Sequence, residues 1–503
     1  MQIKKEYAVI GAIFLITLFS RLYLSFQTEQ FIDDSSYFNI RQIEHIRETG
    51  APAFKDDLSY SGRTYIFLPL YHYIMAFFSL FMPAGIAVKI ISNLFASSIV
   101  IIAFLLAFHI SRNFLSSTIA GFASGFVPIF FSSTFASSTT YSFVTPLFLL
   151  IIYCFLKSEE NKNYVYTFLL LLFLFVLLDS TVIFLIAGLL FYLLLIKLEH
   201  LKHSRQEIEM IIFAGFMVLW FQFLFYKKDL LLHGFSIVLQ NIPPEIINKF
   251  FTETNLLEMI YQIGFVPFIF GIYIIYKSTF GIKRKSTLLF IGLIISLSLV
   301  VWMRMIKPNI GLSLLGLMLI ILFSDYLKEL FEYIEKTRLS KFKTIIIASL
   351  LIAVVLTSAM PSVYYATGKL DEAPTRDELD AFEWIKKNAE KNDVILATFE
   401  EGHKINELAK RKNVLDDHFL GSKDAQQRYE DAKSVFITQY STVATQILNK
   451  YDVNYIIFSE RAKADFRIEE LKIALDRNCF KLVYNSSVKI YKSVCGVTSY
   501  QEI

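Results

Sequence analysis

Charge is scarce in this chain. Only 19% of its 503 residues are Asp, Glu, Lys or Arg, against about 25% in an ordinary soluble domain, so a single soluble globule of this length is excluded. Cysteine is scarcer still: Cys154 lies in an apolar run, while Cys479 and Cys495 stand near the C-terminus without CxxC or zinc-finger spacing, which leaves a disulfide open but excludes those motifs. There is no P-loop, GxGxxG, HExxH or GxSxG string and no arginine-rich span, so nucleotide, zincin, hydrolase and voltage-sensor chemistry have no sequence basis. The net charge of +4 forms no basic stripe, which excludes nucleic acid as a partner. Internal repeats, low-complexity tracts and lipidation signals are absent too. Ionisable residues inside the apolar runs are confined to their ends apart from Asp179, unlike the mid-membrane charges of ion-coupled transporters.

What the chain has is apolar bulk: 55% hydrophobic residues, 50 of them Phe, and a mean hydropathy of +0.50. Runs nearly free of charge occupy 7–26, 90–108, 114–135, 142–156, 164–178, 181–196, 210–226, 259–276, 287–303, 310–323 and 344–365, which predicts about eleven membrane spans. The stretch 164–196 would be about 50 Å long as one helix, so a break is expected at Asp179-Ser180. Lys4 and Lys5 precede a first run too long for a signal-peptide core, which predicts a retained span. If the Pro69- and His72-containing piece 65–81 is interfacial, most Lys and Arg fall on one face; the positive-inside bias then puts the N-terminus in the cytoplasm and the first loop outside the cell membrane. From residue 366 the composition becomes charged, with helical pattern at 376–390 and 442–450 and strand pattern at 394–399 and 455–458. The expected architecture is a polytopic α-helical membrane protein with a C-terminal extracytoplasmic α/β domain: a transmembrane domain at 1–365, including a first outer loop at 27–84, and a soluble domain at 366–503.

The most informative segment is FIDDSSYFNIRQIEHIRETGAPAFKDDLSYSGR, residues 31–63. It sets two acidic pairs, Asp33-Asp34 and Asp56-Asp57, beside a bilayer among Tyr37, Phe38, Arg41 and Arg63. Acids at a membrane edge are costly unless they bind or react. Their plain structural alternative is capping of a helix beginning near Ser35.

This loop resembles the first external loop of the GT-C glycosyltransferases, above all the catalytic subunit of oligosaccharyltransferase, where an acid precedes a YFNYR-like string and an aspartate precedes a GR pair, matched here by Asp56 or Asp57 and Gly62-Arg63. The segment VILATFEEGHKINELAKRKNVLDDHF, 394–419, resembles the region that carries the WWDYG motif, with Thr398, Phe399, Glu400, Glu401 and Gly402 at the corresponding places. Both tryptophans are replaced, and the motif's Asp is Glu400. The second acidic motif of that family has no counterpart in SSTFASSTTYSFVTP, 132–146, which contains no acid.

The resemblance implies transfer of a sugar or oligosaccharide from a polyprenyl phosphate or pyrophosphate donor to a protein or lipid acceptor on the outer face. Asp34, with Asp33, is then the expected catalytic carboxylate; Asp34 and Glu253 are the expected ligands of a divalent cation, Mn or Mg. Arg304, Lys307 and Arg63 are the expected donor-phosphate ligands. Phe399, Glu400, Glu401 and His403 would face the acceptor, and Asp57, Tyr37 and Arg41 would support the loop. Membrane lipid is the surrounding partner. The missing acid and tryptophans leave a second expectation, a non-catalytic scaffold or acceptor-binding relative, with a transporter third.

Overall fold

The computed structural model describes residues 2–202, 204–252, 255–281 and 283–496, and the chain forms two compact units. The first comprises residues 1–29, 68–227 and 248–370; the second comprises 30–67, 228–247 and 371–503. The loop at 30–67 thus belongs to the C-terminal unit.

The first unit is helical because its runs are apolar on every side, and a backbone in hydrocarbon must satisfy its own hydrogen bonds. Among the described residues, six helices are long and apolar enough to cross a membrane: Glu6–Ser25, Ala84–Ser111, Arg205–Phe251, Lys285–Trp302, Pro308–Lys336 and Arg338–Leu370. Two further helix pairs pass the same test together but bend, by 43° between Phe114–Gly125 and Pro128–Thr134 and by 95° between Leu256–Ile263 and Phe265–Phe280. The first bend sits where Pro128 opens a new helix; the second sits at Gly264, whose φ of +107° strains any side chain. Tyr141–Lys157, Asn163–Leu178 and Val182–Leu198 are shorter apolar helices.

The break expected at Asp179 is present. Asp179 is extended, with φ −160° and ψ 148°. Its carboxylate accepts the Thr181 N–H at 2.9 Å and the Thr140 hydroxyl at 2.9 Å, which offsets the burial of an acid. Pro308–Lys336 is the central helix of the unit, with 89% of its apolar window buried. Arg21, fully buried, joins the first span to its neighbours by donating to Asn93 Oδ1 at 2.9 Å and Thr134 Oγ1 at 2.5 Å. By contrast Phe216, Leu219, Trp220 and Phe223 are exposed, as side chains that face lipid should be.

The second unit is an α/β fold. A small ribbon pairs β1 (Lys55–Asp56) with β2 (Arg63–Thr64), antiparallel. The main sheet contains β3 (Val394–Leu396), β4 (Lys412–Asn413), β5 (Val453–Phe458), β6 (Phe480–Asn485) and β7 (Lys489–Ser493) in the order β4-β3-β5-β7-β6. The β3 strand runs parallel to β4 and β5, while β7 is antiparallel to β5 and β6. The helix Arg376–Asn388 starts with a capping box in which Thr375 and Glu378 satisfy each other's backbone N–H. Its apolar face (Ala381, Phe382, Ile385) packs on Ile395, Ile405, Tyr455, Ile457 and Ile490. Cys479 and Cys495 form a disulfide with Cα atoms 4.8 Å apart, which closes the β6–β7 hairpin.

Candidate active site

The two adjacent acids of the first loop have different surroundings. Asp33 is the N-cap of the helix Asp34–Thr49: its carboxylate accepts from Ser36 N at 3.1 Å and from the hydroxyls of Ser35 and Ser36 at 2.7 and 2.6 Å. Asp34 points to the opposite side of that first turn. Its two oxygens accept the backbone N–H groups of His403 and Lys404 at 2.8 and 2.9 Å, where Gly402–Lys404 begins a helical turn. Burial pushes the Asp34 carboxyl up to about 7, against the opposing pull of His403.

Around that contact lies a buried polar cluster drawn from 30–67 and 395–420. Arg63 donates through Nη2 to Asp416 Oδ1 at 2.8 Å and through Nη1 to the His418 carbonyl. Its guanidinium lies over the rings of Tyr60 and Tyr65 at 4.2 and 4.1 Å. Asp416 Oδ2 accepts from Ser59 Oγ at 2.6 Å and from Asn413 Nδ2 at 3.2 Å. Burial alone would raise Asp416, but the Arg63 and His403 cations hold it below the usual carboxylate range. His403 is completely buried, between Phe38 at 5.3 Å and the His418 ring at 5.5 Å. Burial opposes its charge, yet Asp416, Asp417 and Asp34 together raise its pKa. Burial lowers that of His418.

Gly402 explains how these strands of chain come so close. A Cβ there would overlap the Leu415 carbonyl and the Asp416 Cβ, and would lie 2.6 Å from the Asp416 Cα. Its φ is an ordinary −64°, so the requirement is proximity and not backbone freedom.

Several expectations are corrected by this geometry. Arg63, 5% exposed, is held by internal carboxylate and carbonyl groups, so its guanidinium fork is not presented to a donor phosphate. Asp57 is not the loop support: its side chain is 81% exposed, with only Lys55 nearby at 4.0 Å. That role falls to Asp56, which is buried, pairs with both terminal nitrogens of Arg41, and accepts Leu58 N–H at 2.9 Å. Glu401 faces inward and completes a capping box with Thr398, accepting its N–H at 3.2 Å and its hydroxyl at 2.7 Å, which withdraws it from any acceptor. Phe399 is buried against Phe419 and Tyr429, both at 6.1 Å. Glu400 is half-exposed, 4.0 Å from Arg461. Tyr37 is buried and its hydroxyl donates to Gln30 Oε1 at 3.2 Å.

In the first unit, Arg304 is exposed and donates to Asn248 Oδ1 at 2.6 Å; Lys307 lies over the Phe250 ring at 5.3 Å. Glu253 lies outside the described residues. The stretch 132–146 contains no acid; its Thr140 hydroxyl donates to Asp179 as above. Asp416, Asp417 and His418 were not singled out by sequence reasoning; the acidic pair followed by a histidine at 416–418 was the available signal. His403, Asp417 and His418 are a donor set able to hold a metal ion, with one ligand atom from each lying within 4.8 Å of the others.

This helical membrane unit with its C-terminal globular unit has the GT-C fold of oligosaccharyltransferase-like membrane proteins. Among solved structures it is similar to the Archaeoglobus fulgidus oligosaccharyltransferase AglB in complex with an inhibitory peptide and a dolichol-phosphate (TM-score 0.67, 13% identity, covering 90% of this chain and 69% of that one). It is similar also to an Archaeoglobus fulgidus oligosaccharyltransferase in complex with Zn and sulfate (TM-score 0.63, 14% identity, 93% and 71%). ArnT from Cupriavidus metallidurans bound to undecaprenyl phosphate matches end to end (TM-score 0.53, 10% identity, 97% and 98%). No protein-family model and no curated protein matches the sequence.

Proposed function

We propose that the protein is a membrane glycosyltransferase that moves a sugar or oligosaccharide from a polyprenyl phosphate or pyrophosphate to a protein or lipid acceptor. The observation that carries this reading is the chain-long GT-C fold, in which the acidic first loop folds as part of the C-terminal unit. Two of the similar structures hold polyprenyl phosphates, dolichol-phosphate in AglB and undecaprenyl phosphate in ArnT, and a donor of that class is part of the proposal. So is the orientation: N-terminus in the cytoplasm, C-terminal unit outside the cell membrane, supported by the bias of basic residues and by a disulfide suited to an oxidising compartment.

In this mechanism Asp34 orients the acceptor and removes its proton, a task suited to a carboxyl raised to about 7. Arg304 and Lys307 offset the charge that develops on the departing phosphate. Half-exposed Glu400 borders the acceptor path, and a divalent cation, Mn or Mg, belongs to the same proposal at Asp34. Burial of Glu401 and engagement of both Asp34 oxygens by backbone N–H groups favour a second reading, a non-catalytic scaffold that binds an acceptor.

The two separate on Asp34→Asn and Arg304→Ala, assayed as release of polyprenyl phosphate from candidate lipid-linked sugars. An enzyme loses turnover with the first and binds donor more weakly with the second, while hydrogen exchange reports an intact fold. Turnover unchanged in both variants refutes the assigned roles; no turnover by the wild type supports the scaffold.

A further inference from the structure

We propose that His403 Nε2, Asp417 Oδ1 and His418 Nδ1 form a binding site for a divalent transition-metal cation, Zn²⁺ by donor type. Asp417 Oδ1 lies 3.2 Å from His403 Nε2 and 3.7 Å from His418 Nδ1, within ion-pair reach of both imidazoles, yet none of the three buried atoms has an aligned hydrogen bond. Buried polar atoms grouped around one point without aligned hydrogen bonds are better satisfied by an ion among them. Legs of about 2.0–2.2 Å to a tetrahedral zinc set ligand atoms about 3.4 Å apart, and the two observed separations bracket that value.

The donor set decides the class of ion. Two imidazoles with one carboxylate suit zinc and its transition-metal neighbours, whereas Mg²⁺ and Ca²⁺ take oxygen donors. The surroundings fix the donors in place. Asp34 receives the N–H of His403, and Asp416 receives the N–H of His418 at 3.1 Å. The Phe38 ring packs on both imidazoles, at 5.3 and 4.6 Å. Asp416 itself, 3.5 Å from His403 Nε2, is bonded to Arg63 and Ser59 and acts as a support.

The site lies just below the surface: the donor atoms themselves are buried, while the side chains of Asp417 and His418 are 18% and 32% exposed. Three protein donors leave a tetrahedral ion one ligand short of a four-ligand structural site, and a water or an anionic group would complete the set. This site differs from the Mn or Mg expected at Asp34 and Glu253, and it stands independently of the glycosyltransferase reading.

The test uses the full-length protein in detergent, stripped with chelator and titrated with Zn²⁺, Co²⁺, Mg²⁺ and Ca²⁺ by calorimetry, with bound metal counted by mass spectrometry. One equivalent of Zn²⁺ should bind, and Co²⁺ should give the d–d absorption of a low-coordinate N/O site. Asp417→Asn and His418→Gln, at the more exposed positions, should each weaken binding at least tenfold, and Asp57→Asn should leave it unchanged. Should either ligand variant fail to fold, the Co²⁺ spectrum and stoichiometry of the wild type still decide. Absence of binding, equal binding by the ligand variants, or preference for Mg²⁺ or Ca²⁺ would each overturn the proposal.

Discussion

Replacing Arg63 by Met tests how the first loop is held within the C-terminal unit. The guanidinium and Asp416 are 5% and 0% exposed and 2.8 Å apart, which at an effective dielectric near 20 is a gross attraction of about 6 kcal/mol. Desolvation offsets several kcal/mol for each ion, so the pair itself is worth much less than that. Removing one member is different. Asp416 is left charged in a buried place, and the His418 and Leu420 carbonyls lose their donor, so Arg63→Met should cost about 3–5 kcal/mol. Asp416→Asn keeps one acceptor oxygen, so it loses either the Ser59 hydroxyl on Oδ2 or the His418 N–H on Oδ1 and leaves Arg63 charged in a buried place; it should cost a comparable amount, and the double variant should be milder than the sum of the singles by about 2 kcal/mol.

Hydrogen exchange of the full-length protein in detergent reads this directly. Peptides covering 59–67 and 412–420 should exchange on the order of 10²- to 10⁴-fold faster in Arg63→Met where exchange proceeds by opening of that unit. The pH dependence follows from the same pair. Asp416 has a folded pKa below its ordinary value, so the fold binds fewer protons there than the unfolded chain; its contribution is full above about pH 4 and disappears as the pH falls below. Without Arg63 the acid transition should move to higher pH. Single variants within about 1 kcal/mol of wild type, or strict additivity in the double, would refute the reasoning.

Asp56→Asn, which breaks the double contact to Arg41 and weakens the acceptor for Leu58 N–H, should destabilise by about 2–3 kcal/mol, whereas exposed Asp57→Asn should change the melting temperature negligibly. Gly402→Ala should cost at least about 2 kcal/mol because the obstructing atoms belong to the 415–416 backbone and cannot rotate away, again read as thermal unfolding. Replacing Cys479 and Cys495 together by Ser, which opens a bridge spanning 16 residues, should cost about 3 kcal/mol, and reductant should lower the wild-type midpoint while leaving that variant unmoved.

The helical unit was legible because a span announces itself by length and absence of charge. The break at Asp179 followed from a polar Asp-Ser pair midway along an apolar run too long for a single bilayer crossing, 164–196. In the C-terminal unit, Val394–Leu396 and Val453–Phe458 were visible as buried apolar runs, whereas the hairpin strands Phe480–Asn485 and Lys489–Ser493 mix lysine with apolar residues and gave no clean alternation. The site was legible only in part. Asp33 and Asp34 are neighbours with unrelated partners, and nothing local shows that one caps its own helix while the other reaches a turn 369 residues away. Asp56 is buried at the end of the two-residue strand β1 and Asp57 is exposed just beyond it, and so short a strand leaves no alternation to read in the sequence. The His403–Asp417–His418 grouping depends on Gly402 admitting the 415–416 backbone, a tertiary contact that no spacing rule encodes.

The most direct measurement of the central claim is incubation of the purified full-length protein with polyprenyl phosphate- and pyrophosphate-linked sugars, with and without added divalent metal, following release of the lipid phosphate and appearance of sugar on an acceptor. Release should require the wild-type chain and be lost in Asp34→Asn at unchanged hydrogen exchange. Stoichiometric donor or acceptor binding with no bond cleavage under any metal condition would contradict it.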